Sequence, residues 1–158
     1  MVTWMPHIQY IRKKVALRLK LLKTLAASKY GSDQNFLLKT FTSTVVSVIE
    51  FGSPAYGSAR SAILEQLQTV FNEGLRIALG VFKTTRTAKL LTEAGLKNVE
   101  TRRSEKTAAL GLRMLSIRDH PLRQRIQSPE QHQHYINRQR QSRPFAVRAG
   151  LSRSGTPR

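Results

Sequence analysis

Apolar residues recur at steps of three and four from residue 8 to about residue 119, and that period leaves little room for anything but helices. Ile8, Ile11, Val15, Leu19, Leu22 and Ala26 fall on one narrow stripe when successive residues turn by about 100°. Leu17, Leu21 and Leu25 form a second stripe beside it, and Gly31 marks the helix end. Ser32 is placed to cap a second helix over Phe36–Phe51, with Leu38, Phe41, Val45 and Val48 in phase. Residues 42–49 are rich in β-branched side chains, so a strand is an alternative there. Poor alternation and the lack of a hairpin partner favour helix. Phe51 to Gly57 reads as a loop by its Gly and Pro content. A third helix is expected from about Ser61 to Leu79, lined by Leu64, Leu67, Phe71, Leu75 and Ala78 and closed by Gly80. A short helix over Thr87–Ala94 stops at Gly95. A fifth starts near Asn98, carries Glu100 in its first turn, and continues through Leu110, Met114 and Ile117 to Pro121. The expected architecture is all-α: a small bundle of four to five helices over residues 1–119.

Residues 120–158 differ in kind. From Pro121 onward there are eight Arg, six Gln and four Pro but one acid, Glu130, and apolar residues without period. A disordered basic tail or linker is expected.

Charge narrows the function. Twenty-seven Lys and Arg against nine Asp and Glu give a net charge of +18. Such an excess asks for a polyanion, nucleic acid first and an acidic membrane surface second. The absence of cysteine excludes disulfides, thiol catalysis and thiolate zinc sites. No apolar run approaches the roughly 18 residues of a membrane span, and the N-terminus lacks the apolar core of a secretory signal. The acids are dispersed with no two adjacent, which does not suggest the carboxylate cluster of metal-dependent phosphoryl transfer. His132 and His134 lack a third ligand nearby, and Asp119–His120 reads as a helix end with a cation near its last carbonyls rather than part of a triad. No metal site, no cofactor and no catalytic residue is expected.

The positive charge has a pattern. Arg12, Lys13, Lys20 and Lys23 share an arc of about 100° opposite the main apolar stripe of the first helix. Residues 1–29 hold seven basic residues and no acid. A one-sign face several turns long repels itself, and a phosphate backbone would compensate it. Lys14 and Arg18 fall between the two apolar stripes, where long side chains snorkel over packed leucines. A second cluster, Lys83, Arg86 and Lys89, surrounds Thr84, Thr85 and Thr87 at a helix start, where a phosphate site competes with ordinary capping. Arg102 and Arg103 have Glu100 and Glu105 as local partners. Tyr10, Tyr30 and Tyr56 are available for base stacking, although packing suits them better.

These residues also resemble a known family. Thr3-Trp4, His7-Ile8, Arg12-Lys13-Lys14 and Arg18-Leu19-x-Leu21-Leu22-Lys23 look like the start of the region that follows the catalytic palm in non-LTR (LINE-type, jockey-like) retrotransposon reverse transcriptases. The likeness continues through Ile49-Glu50-Phe51-Gly52, Ala55-Tyr56-Gly57-Ser58-Ala59, Leu64-x-x-Leu67-x-x-Val70-x-Asn72 and Leu75-Arg76-Ile77-x-Leu79-Gly80. Phe82-Lys83-Thr84, Leu90-Leu91-x-Glu93-Ala94-Gly95, Arg102-Arg103 and His120-Pro121 complete it, over about three quarters of the chain. Arg86 replaces a proline usual in the family, and Asn98-Val99 replaces a Pro-Leu. The resemblance implies a helical, thumb-like module that grips a template–primer duplex. It implies that the paired catalytic aspartates and their Mg²⁺ belong to an upstream palm domain, so that this chain is a fragment or decayed copy without catalysis of its own. It further implies a nuclear, intracellular location and no membrane partner. Two readings from other classes stand beside it: an unrelated basic helical RNA- or DNA-binding protein, and a remnant acting only through protein contacts.

Overall fold

A computed structural model describes residues 4–27, 32–127 and 148–149, and among them every regular element is helical. In order these are α1 (Met5–Ala26), α2 (Gln34–Phe41), a π-helical turn (Thr42–Val46), α3 (Ser47–Glu50), α4 (Ser53–Tyr56), α5 (Ser61–Leu79), α6 (Thr87–Ala94), α7 (Val99–Ser116) and α8 (Arg123–Gln127). The all-α expectation holds, with about five substantial helices once α2, the π turn and α3 are taken as one rod.

The chain divides into two compact units. One holds the described residues of Met1–Phe51 and Ser61–Val99; the other holds those of Gly52–Arg60 and Glu100–Arg158. In the second unit α4 groups with α7 rather than with the helices on either side of it in sequence.

In the first unit the α1 stripe is buried as its spacing requires: Ile8, Ile11, Val15, Leu19 and Leu22 are all in the core. They pack chiefly on α5, whose Leu64, Leu67, Phe71, Leu75 and Ala78 are buried as expected. The ring of Phe41 meets that of Phe71 edge-on, with centroids 5.3 Å apart. Arg12 reaches Gln66 and Lys23 reaches Glu73, so position rises along both helices together and α1 and α5 run in the same direction. The α2–α3 rod returns between them, with Ser32 donating to the Leu25 carbonyl at 3.3 Å and Arg18 donating to that of Thr44.

Three local expectations change. Asp33, not Ser32, occupies the N-cap position of α2. Residues 42–49 form neither a strand nor a plain α-helix, because a π turn carries one residue more than an α turn. The buried set is Leu37, Phe41, Val45, Val46 and Ile49: ahead of the π turn Leu37 is buried and the expected Leu38 only half-buried, and beyond the turn the position expected at Val48 has moved on by one. The hydroxyls of Thr42 and Thr44 donate to the carbonyls of Leu38 and Thr40 at 2.8 and 2.6 Å, which makes this β-branched run compatible with helix. Loop 51–57 contains the one-turn helix α4, entered through Gly52 at φ 70°.

Gly80 (φ 67°) and Gly95 (φ 62°) end α5 and α6 in the left-handed conformation that favours glycine. The matching bonds run from Val81 N–H to the Arg76 carbonyl (3.1 Å) and from Leu96 N–H to that of Leu91 (3.0 Å).

In the second unit Tyr56, Thr107, Ile126 and Ala149 are buried. The line expected through Leu110, Met114 and Ile117 is displaced. Leu110 and Met114 are half-buried, Ile117 lies beyond the helix end and is exposed, and the buried line of α7 passes through Thr107 and Gly111. Gly111 admits a close neighbour: a Cβ there would lie 2.7 Å from the Cβ of Ala149. Helical structure also continues past Pro121 into α8, where a structureless tail was expected, because Ile126 finds a buried position. Arg148 donates to the Pro54 carbonyl. Its guanidinium is pushed down to about 10 by burial and, second, by the positive charge of Arg103. The rest of the basic tail, with His132 and His134, lies outside the described residues.

Candidate nucleic-acid interface

Six basic residues and no acid lie along α1, and where they stand follows from what α1 packs against. With the Ile8–Leu22 stripe seated on the core, Arg12, Lys13, Lys20 and Lys23 emerge on its α5 flank rather than opposite it. A groove of about 460 Å³ runs there between the two helices. Ala16, Leu19 and Val70 contribute its apolar lining, with the four cations and Gln9 along the α1 side. Its one acid is Glu73, on α5.

The four cations are not equivalent. Arg12 Nη1 donates to Gln66 Oε1 at 2.9 Å, which aims the guanidinium across the groove. Lys23 Nζ lies 3.0 Å from Glu73 Oε1, an ion pair whose partners are both about half exposed. Water screens such a pair, so it is worth a fraction of a kcal/mol and yields readily to a competing anion. The side chains of Lys13 and Lys20 are exposed and make no hydrogen bond or ion pair among the described residues. The spacing from Arg12 to Lys23 corresponds to about 16 Å along the helix axis.

The second predicted cluster is elsewhere. Lys83, Arg86 and Lys89 are all exposed and lie on the α5–α6 connection and the first turn of α6. Arg86 is the N-cap residue and gives no side-chain cap. The connection is fixed from beneath instead. Arg76 Nη2 donates to the Thr85 carbonyl at 3.1 Å, and Asn72 Nδ2 donates to Thr87 Oγ1 at 3.4 Å. The structure thus gathers Arg12, Lys13, Lys20 and Lys23 into one groove and leaves Lys83, Arg86 and Lys89 as a separate patch.

The intermediate basic residues are used structurally. Arg18 is spent on the Thr44 carbonyl, and Lys14 Nζ sits 4.8 Å from the ring centroid of Tyr10. Of the tyrosines considered for stacking, Tyr56 is buried, Tyr30 lies outside the described residues and Tyr10 is 53% exposed. The second leucine stripe is largely uncovered, with Leu17 63% and Leu21 68% exposed. The face of α1 away from the core is therefore apolar, bordered by lysines. Sequence reasoning missed Glu73 and Gln66 as groove partners and Phe82 as an exposed ring; only the run Phe82-Lys83 could have drawn attention to the last. Among the described residues no group of three His, Asp or Glu is placed to hold a metal ion, and no helix is long and apolar enough to cross a membrane.

No family model, no curated protein and no solved structure matches the chain.

Proposed function

We propose that the chain is a nucleic-acid-binding helical module that holds a phosphate backbone along the α1–α5 groove. The observation that carries this reading is the gathering of Arg12, Lys13, Lys20 and Lys23 along one groove with a single carboxylate in it. Cations on one side supply attraction without reading base edges, so binding is governed by counterion release and is nearly indifferent to sequence. The motifs that resemble LINE-type reverse transcriptases support a more specific assignment: the thumb-like region beside the palm, with a template–primer duplex as ligand, the palm of the same polyprotein as partner and the nucleus as location. On that assignment nucleotide incorporation and its Mg²⁺ belong to the palm. Primer extension by this chain alone on a primed RNA template yields no product; template-dependent incorporation that survives repurification contradicts the assignment.

Four neutralised phosphates correspond to a log–log salt slope of about −3 to −4 on B-form DNA. Lys13→Gln with Lys20→Gln leaves the thermal midpoint unchanged, since glutamine is nearly as good a helix former as lysine. The double change weakens duplex binding and flattens the slope by up to about two. A double variant that binds like the parent removes the groove from the interface.

The exposed Tyr10, Leu17 and Leu21 favour a second reading, a module that works through protein contacts. Parent binding to nucleic acid that is absent or insensitive to salt selects it.

A further inference from the structure

Phe82 is 85% exposed, the highest exposure among the large apolar side chains of the described residues. The turn that carries it is tightly tied. Gly80 turns the chain off α5 in the left-handed conformation, and Val81 N–H donates to the Arg76 carbonyl at 3.1 Å. Thr85 N–H closes the turn onto the Phe82 carbonyl at 3.1 Å, and Arg76 holds the Thr85 carbonyl from below at 3.1 Å. The ring is thus presented to solvent by a fixed backbone. Its company along the chain is cationic. Lys83, Arg86 and Lys89 are exposed, and no Asp or Glu occurs between Glu73 and Glu93.

We propose that Phe82 is a stacking platform for an unpaired nucleobase, with Lys83 and Arg86 neutralising the phosphates beside it. The proposal rests on the nucleic-acid reading above and adds a second, chemically different contact to it. A lone ring offers too little apolar area to anchor a protein interface, whereas one aromatic face matches one base. Inside a duplex both faces of each base are covered by neighbours. The ligand is therefore a single-stranded segment or the frayed end of a duplex, not its interior.

The test compares a labelled blunt duplex with the same duplex carrying a four-nucleotide single-stranded overhang, by fluorescence anisotropy with the full chain. The parent binds the overhang probe more tightly, by about five-fold to one-hundred-fold for one stacked base. Phe82→Ala removes that preference and leaves both blunt-duplex affinity and the thermal midpoint as they were. Phe82→Trp retains the preference, and its added indole is quenched by the overhang probe beyond any change shown by Trp4, the chain's only tryptophan. Equal affinity of the parent for the two probes, or a preference that persists in Phe82→Ala, overturns the platform while leaving the groove reading in place. Failure of the parent to bind either probe overturns both.

Discussion

Gly74 sets how closely three helices approach one another. A Cβ at this position in α5 would lie 2.5 Å from Cε2 of Phe41 and 2.7 Å from Cδ2 of Leu19. Leu19 can swing its terminal methyl aside, but the Phe41 ring is fully buried against Phe71. Alanine gains about 1 kcal/mol over glycine inside a helix, while overpacking a core costs about 1–3 kcal/mol. Gly74→Ala is expected to lower stability by about 1 kcal/mol in urea unfolding. Combining it with Phe41→Leu should cost less than the sum of the two single changes, because the smaller side chain makes room. Leu21 and Leu22 are neighbours in sequence with opposite fates, at 68% and 2% exposure. Leu22→Ala should cost about 2–5 kcal/mol through the cavity it leaves, and Leu21→Ala should stay within about 0.5 kcal/mol of the parent. A Leu21→Ala melt as damaging as that of Leu22→Ala would mean that the outer stripe is covered in solution.

For a whole element the same contrast becomes a question of association. Leu17→Gln with Leu21→Gln replaces exposed apolar surface on α1, so it should leave the melting temperature alone and reduce any self-association seen by sedimentation. The main stripe of α1, the core of α5, the extent of α6 and both closing glycines were legible in the sequence, since each depends on residues a few positions apart. The second stripe carries the same periodic signal as the first. Period says which residues share a face; it cannot say whether another helix arrives to cover it. The shift from Val48 to Ile49 was illegible for a related reason: a wheel drawn at 3.6 residues per turn assumes that no turn is wider. The cations of the candidate groove were found as a pattern on one helix. Their facing partners Gln66 and Glu73 lie 54 and 50 positions from Arg12 and Lys23, beyond the reach of any local rule.

Taken as a molecule, a chain of net charge +18 repels itself when folded, and at Arg148 burial first and the charge of Arg103 second oppose the guanidinium. Its guanidinium is charged in both states below about pH 10, and burial opposes that charge only in the folded state. The group therefore works against folding until pH rises through its lowered pKa of about 10 toward its ordinary, higher value, where the opposition fades. A polyanion that binds the native state should offset the general repulsion. Heparin at one hundred times its dissociation constant is expected to stabilise the fold by about 2.7 kcal/mol at low salt, seen as a raised melting temperature, and to lose the effect as salt is added. No shift at low salt would count against a native polyanion site. Division into two units predicts two classes of amide exchange. The first unit buries long runs from α1, α2 and α5, and the second buries few large side chains, so α7 amides should exchange before those of α5.

The π turn makes the α2–α3 rod one residue longer than its α-helical pattern requires, which turns a detail of hydrogen bonding into a statement about permitted chain length. Removing Ser43, which is exposed, would return Val46 and Ile49 to the phase that Leu37 and Phe41 set. The buried face of the rod would then be kept by a shorter chain, and the main local loss would be the Thr44 carbonyl offered to Arg18. This stretch is thus a place inside a core helix where lengths differing by one residue can share a fold, a tolerance otherwise characteristic of surface loops.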